Sequence, residues 1–296
     1  MARFIAIAAL LCLILFTQTL RANAEERELL IGLIPEQNIF KQIERYKPLA
    51  GYLSARTGIT VRLTILSRYG DIIDRFVQRG LDGAFFGDLT GALAIEKLDI
   101  EPLVRPVNLD GSTYSYGYII VRKDSGIRTV ADMKGTVLAF VDRATVTGYL
   151  FPLSYFRSHG VKNLNDFFSE YYFTGSHDSS VYAVLDGRAD IGCIKNTIYN
   201  NLVSRDPTIK SELRIIAKSP LMPESTLCLR KDLPEDMKKM IKEVLLTMDR
   251  NEEGRKILAK LRAKRFIEAS VEDFKPVYEM LKTLGEDIET YQYRVR

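Results

Sequence analysis

There is no tryptophan in the 296 residues, and there are only two histidines and three cysteines. Two histidines, His159 and His177, exclude a multi-histidine metal centre and leave little material for histidine-based catalysis. CxxC, HExxH and GxSxG are all missing, so the usual marks of a redox pair, a zinc protease and a serine hydrolase are absent. Nothing in the chain calls for a cofactor. Lys and Arg number 42 against 38 Asp and Glu, a balance too even for a nucleic-acid surface. Beyond the N-terminus no apolar run reaches the ~18 residues of a membrane span.

What is present begins with a leader. Met1-Ala2-Arg3 is a basic start, Phe4 to Phe16 is an apolar core, and Ala22-Asn23-Ala24 is a small-x-small cleavage site. Cys12 follows the bulky Leu11, which argues against lipoprotein processing. Cleavage after Ala24 is expected, and with it export of the mature chain. The remaining 272 residues carry 40 basic and 38 acidic groups, about +2, since Arg3 and Arg21 leave with the leader. That length suits one large domain or two lobes. Cys193 and Cys228 each lie in an apolar run and read as buried free thiols, although an oxidising compartment would also let them pair.

The apolar pattern predicts repeated strand–helix units. Leu29–Ile34, Val61–Leu66, Gly83–Phe86 and Ile100–Val104 read as strands, with helices between them. This is the pattern of a mainly parallel sheet flanked by helices. In such sheets ligands bind at loops beyond the strand C-termini. Residues 35–40, 67–70 and 87–90 are those loops. A second unit follows, with strands at Tyr114–Arg122, Val137–Val141 and Ala189–Ile194. Residues 76–85 echo residues 184–193: a helix end, then Gly80 or Gly187, then Asp82 or Asp190, then a small-residue strand. Two lobes of one design imply a cleft between them. The expected division is 25–115 for the first lobe, 116–218 for the second, and 219–296 for the return to the first lobe with C-terminal helices.

The stretch Asp142-Arg143-Ala144-Thr145-Val146-Thr147-Gly148 links a buried strand to a helix. The first N–H groups of a helix lack internal partners and carry the positive end of its dipole. Thr145 and Thr147 add hydroxyls, and Gly148 lets a ligand approach the backbone. The combination suits an anion; the alternative is a simple threonine cap.

Several motifs then look familiar. Gly32-Leu33-Ile34-Pro35, Tyr46-Lys47-Pro48-Leu49-Ala50-Gly51-Tyr52-Leu53, Gly83-Ala84-Phe85-Phe86-Gly87, Thr147-Gly148-Tyr149-Leu150-Phe151-Pro152 and Gly175-Ser176-His177-Asp178 resemble the periplasmic phosphonate-binding proteins, which serve ABC importers of phosphate, phosphite and phosphonates. The resemblance implies the two-lobed periplasmic binding protein fold. It also implies a small anionic ligand, an ABC permease as partner, no enzymatic activity and a monomer. By the same resemblance the loop Thr145, Val146 and Thr147 grips the anion. Ser176 and His177 form a second helix start converging on it, and Tyr69 closes over it. Phe86 and Tyr116 stand as further lid aromatics or as core. Two positions depart from the family pattern. Asp88 stands where proline is usual, either capping a helix or facing the cleft. Lys195 stands where an acidic or small polar residue is usual, either as a rim charge or paired with an acidic ligand or with Asp88. The alternatives to an importer component are a ligand sensor for a membrane histidine kinase and a binder of a different small anion.

Overall fold

The computed structural model describes residues 27–294; the leader and its cleavage site lie outside them. In the first half, β1 (Glu28–Leu33), β2 (Thr60–Ile65), β3 (Gly83–Phe86) and β4 (Ile100–Asn108) alternate with the helices Ile39–Thr57, Asp71–Arg75 and Asp88–Lys97. The first helix shows how local sequence sets these boundaries. Asn38 caps it, its side chain accepting from the Phe40 and Lys41 amides, and Gly58 ends it in the left-handed region at φ 69°. Tyr46, Leu49, Ala50 and Leu53 form its buried face, as their spacing predicts.

The chain then crosses to a second lobe. The crossing forms β5 (Tyr114–Ser115), and the second lobe then builds β6 (Gly117–Arg122), β7 (Val137–Phe140), β8 (Glu170–Phe173), β9 (Ile191–Lys195) and β10 (Leu213–Lys218). It returns through β11 (Met222–Pro223) into β12 (Thr226–Arg230), and β13 (Ala263–Glu268) follows later. The outgoing and returning crossings pair with each other, β5 against β11.

The first sheet runs in the order β13-β4-β12-β3-β1-β2, and the second β10-β6-β9-β7-β8. In the first, β1 to β4 share a direction and β12 and β13 oppose them. In the second, only β6 opposes the others. The architecture is two-lobed α/β. Parallel strands dominate each sheet, so their C-terminal loops gather on one side, toward the other lobe.

The internal echo has a shared physical basis. Gly80 and Gly187 both take positive φ, 61° and 69°. Asp82 and Asp190 then accept from backbone amides of the neighbouring strand, Leu30 within β1 at 2.8 Å and Val137 at the start of β7 at 2.9 Å. Each repeat uses a carboxylate to fix the register of a strand buried on both faces.

Helices Glu235–Leu246 and Glu252–Leu261 cover the first sheet through Met237, Ile241, Leu245 and Leu258. The last helix, Lys275–Thr283, instead joins an apolar cluster with residues of both lobes, among them Leu93, Leu150 and Phe156. Cys193 and Cys228 are buried free thiols, and burial raises both pKa values.

Candidate anion-binding cleft

The loop after β7 forms the expected helix start, with a different winding. Residues Val146–Leu150 make a π-helical turn that passes into the α-helix Phe151–Ser158. The Leu150 amide reaches back to the Thr145 carbonyl at 3.2 Å. Thr145 Oγ1 donates to the Asp142 carbonyl at 2.7 Å, so this hydroxyl shapes the loop. Gly148 also serves packing: a Cβ on it would lie 2.5 Å from the Val141 Cβ, so the close approach of the strand requires glycine.

The wider turn leaves the Val146 and Thr147 amides free of the helix, and both point at one partner. Asp88 Oδ1 accepts from Val146 N at 3.1 Å, and Asp88 Oδ2 accepts from Thr147 N at 3.1 Å. Asp88 belongs to the first lobe, at the start of the helix after β3. Its Oδ1 also accepts from Leu89 N at 2.7 Å. The carboxylate therefore faces the cleft and fills the two-amide clamp. Burial raises its pKa, against the opposing hydrogen bonds from Val146 and Leu89 and the charge of Lys195.

The second helix start also binds the first lobe. Ser176 caps the helix His177–Leu185. The His177 amide donates to the Glu36 carbonyl at 3.1 Å, and Asp178 Oδ2 accepts from the Asn38 amide at 3.0 Å. His177 Nδ1 accepts from Lys195 N at 3.1 Å, which fixes the ring as a neutral tautomer with its proton on Nε2. Burial drives its pKa down to about 3, so it is uncharged at neutral pH. Tyr69 packs edge-on against this ring at 6.0 Å between centroids. The Tyr69 hydroxyl is buried and has no hydrogen-bond partner among the described residues. Its proximity to Glu36, Asp88, Asp142 and Asp178 adds to burial in raising its pKa. Phe86 is core, while Tyr116 is half-buried under the Lys218 ammonium.

Lys195 is not a rim charge; it is 4% exposed. Its Nζ lies 3.0 Å from Glu36 Oε1, 2.7 Å from Glu224 Oε2 and 3.2 Å from Ser225 Oγ. Burial opposes its charge, but Glu224 and Glu36 outweigh that and hold its pKa above the ordinary lysine value. Burial likewise opposes ionising Glu36, yet Lys195 and the Ser225 hydroxyl lower its pKa to about 2. Glu36 and Glu224 are site residues that no sequence motif marks, although Glu36 lies in one of the three loops singled out by topology. Beyond this triad opens a cavity of about 170 Å³ whose wall includes Arg45, Asn108, Asn201 and Arg262. Among the described residues no group of side chains is suited to hold a metal ion, and no helix is long and apolar enough to cross a membrane.

The family model described as "ABC transporter, phosphonate, periplasmic substrate-binding protein" matches residues 31–274. The chain belongs to this family. Among its relatives, the phosphonates-binding periplasmic protein of Escherichia coli (strain K12) is 25% identical over 246 residues, which is 81% of this chain and 72% of that protein. The phosphate-import protein PhnD of Mycolicibacterium smegmatis is 25% identical over 215 residues, 69% of this chain and 67% of that one. A binding protein component of an ABC phosphonate transporter from Pseudomonas aeruginosa shares the fold, with a TM-score of 0.81 over 88% of this chain and 87% of its own, at 23% identity. The match embraces both lobes and every cleft residue described above.

Proposed function

We propose that the chain is an exported solute-binding protein that delivers a phosphorus oxyanion to an ABC permease. The observation that carries the ligand class is the clamp itself. Two amides, from Val146 and Thr147, converge on the two oxygens of one anionic group. Backbone donors at a helix start need no counter-charge to hold an anion, and such charge-assisted bonds are about twice as strong as neutral ones. The Tyr69 hydroxyl is buried without a hydrogen-bond partner among the described residues, and its ring packs on His177 close enough to Asp88 to feel its charge, so it is a further donor open to an anion in the cleft. The relatives named for phosphonates and phosphate support the same class. On this reading the protein performs no chemistry, acts as a monomer and works in the periplasm after leader removal.

Calorimetry with phosphate, phosphite and methylphosphonate tests the proposal on the leaderless protein. Saturable binding of at least one in the millimolar range or tighter is expected. No heat and no thermal shift with any of the three removes the ligand class while leaving the fold intact. A second reading, a periplasmic sensor for a membrane kinase, is favoured by one observation: the cleft pairs its own charges across the two lobes. Recovery of a kinase rather than a permease with the tagged protein would select it.

A further inference from the structure

We infer that Asp88 is an internal ligand of the anion clamp and the residue that sets this protein's affinity for oxyanions. The inference rests on the reading of the clamp as an oxyanion site and specifies how this chain uses it. The Asp88 carboxylate comes from the opposite lobe and lies where both clamp amides reach it at 3.1 Å. It is anchored from its own side by the Leu89 amide at 2.7 Å, at the start of a helix packed into the core. An incoming oxyanion and this carboxylate would be like charges sharing two donors. The solute therefore binds only when Asp88 leaves the clamp.

The rest of the cleft follows the same plan. Lys195 in the second lobe pairs with Glu36 and Glu224 in the first lobe, so a cation and its counter-charges are both supplied by the chain. The His177 amide and Asp178 join the loop at Glu36 and Asn38. Hydrogen bonds and ion pairs between the chain's own residues thus join the two lobes across the cleft. The carboxylate is an imperfect substitute, since the Tyr69 hydroxyl has no partner among the described residues. That difference gives a tetrahedral anion the means to displace it. Asp88 then acts as a threshold: the clamp ignores scarce or weakly binding anions and opens to those that use all three donors.

The test compares the parent with Asp88→Ala and Asp88→Asn by calorimetry with phosphate, phosphite and methylphosphonate, and by small-angle scattering without solute. Circular dichroism and melting verify folding of each variant. Removing the competitor should raise affinity for at least one anion by roughly 10–100-fold, the value of one charge-assisted hydrogen bond. The unliganded Asp88→Ala protein should be more open than the parent and close on adding the anion. Asp88→Asn keeps the shape without the charge and should fall between them. If the parent binds an anion and Asp88→Ala binds it no more tightly, the inference is overturned while the oxyanion reading stands. If neither parent nor variants bind any of the three, the oxyanion reading fails. Scattering then judges Asp88 alone: an opened Asp88→Ala supports its place as an internal ligand, and an unchanged one removes it.

Discussion

Replacing Lys195 by methionine isolates what the buried ion triad contributes. The substitution keeps most of the side-chain volume and removes the ammonium, so Glu36 and Glu224 face each other without a cation. The magnitude follows from Glu36. Its pKa of about 2 lies some 2.5 units below the ordinary 4.5, which corresponds to about 3 kcal/mol at neutral pH. Breaking a buried pair by removing one partner costs about 3–5 kcal/mol, the same scale. How that cost is expressed depends on where the three groups sit. Lys195 ends β9 in the second lobe, whereas Glu36 follows β1 and Glu224 precedes β12 in the first. Parting the lobes hydrates both carboxylates without unfolding either sheet. The penalty is therefore capped by the cost of opening. Lys195→Met should show an increased radius of gyration in scattering, with only a small fall in the urea midpoint. Combining it with Glu36→Gln and Glu224→Gln removes the stranded charges and should restore closure. A Lys195→Met protein as closed as the parent, with Glu36 still titrating near 2 by carbon-13 NMR, would refute the reasoning.

The remaining predictions concern pH and packing. His177 has a folded pKa of about 3 against 6.5, so the unfolded chain binds more protons between those values and stability falls as pH drops below about 6.5. Glu36, lowered to about 2, adds to that loss below about 4.5. Asp142, raised to about 6 by burial, acts in the opposite sense, since its carboxyl protonates more readily in the folded state between about 4 and 6. Melting followed from pH 7 to pH 4 should show a net decline that His177→Gln flattens; an identical slope in that variant removes the histidine as the cause. Gly148→Ala should cost about 1–3 kcal/mol in urea unfolding through overpacking against Val141, and an unchanged midpoint would show that the strand yields freely.

Most of the fold was legible because the parallel strands are buried on both faces and read as continuous apolar runs. Leu29–Ile34 and Ile191–Ile194 are of this kind, and a glycine followed two or three residues later by an aspartate (Gly80 and Asp82, Gly187 and Asp190) precedes the strands Gly83–Phe86 and Ile191–Lys195. The strands that escaped the sequence are those whose partners do the specifying. β8 and β13 sit at the outer edges of their sheets, and β13 reads Ala-Lys-Arg-Phe-Ile-Glu with most of its side chains outside the core. Such a strand has no apolar pattern of its own to display. The two-residue β11 exists only because the two crossings meet, and the expected strand Tyr114–Arg122 divides at Tyr116, with β5 pairing β11 and β6 entering the second sheet.

The site divides along a similar line. A helix start is local, so the Thr145–Gly148 and Ser176–His177 segments could be picked out from hydroxyls and glycines beside apolar runs. The identity of the group each start holds is a property of the closed cleft. Val146 carries no hydroxyl, yet its amide, which no side chain encodes, is one of the two clamp donors. Asp88 and Lys195 stood out as departures from the family pattern, and each had a bland alternative, a helix cap and a surface charge. Position 88 and position 146 lie 58 residues apart, and Lys195 lies 159 residues from Glu36. No spacing rule connects them. What connects them is electrostatics under burial: a carboxylate and an ammonium taken this far from water must find opposite charge or aligned dipoles. In a two-lobed protein the nearest such partners for unusual cleft charges belong to the facing lobe. A charged departure at a ligand position in this family therefore points first to an internal partner across the cleft, and only then to a different ligand.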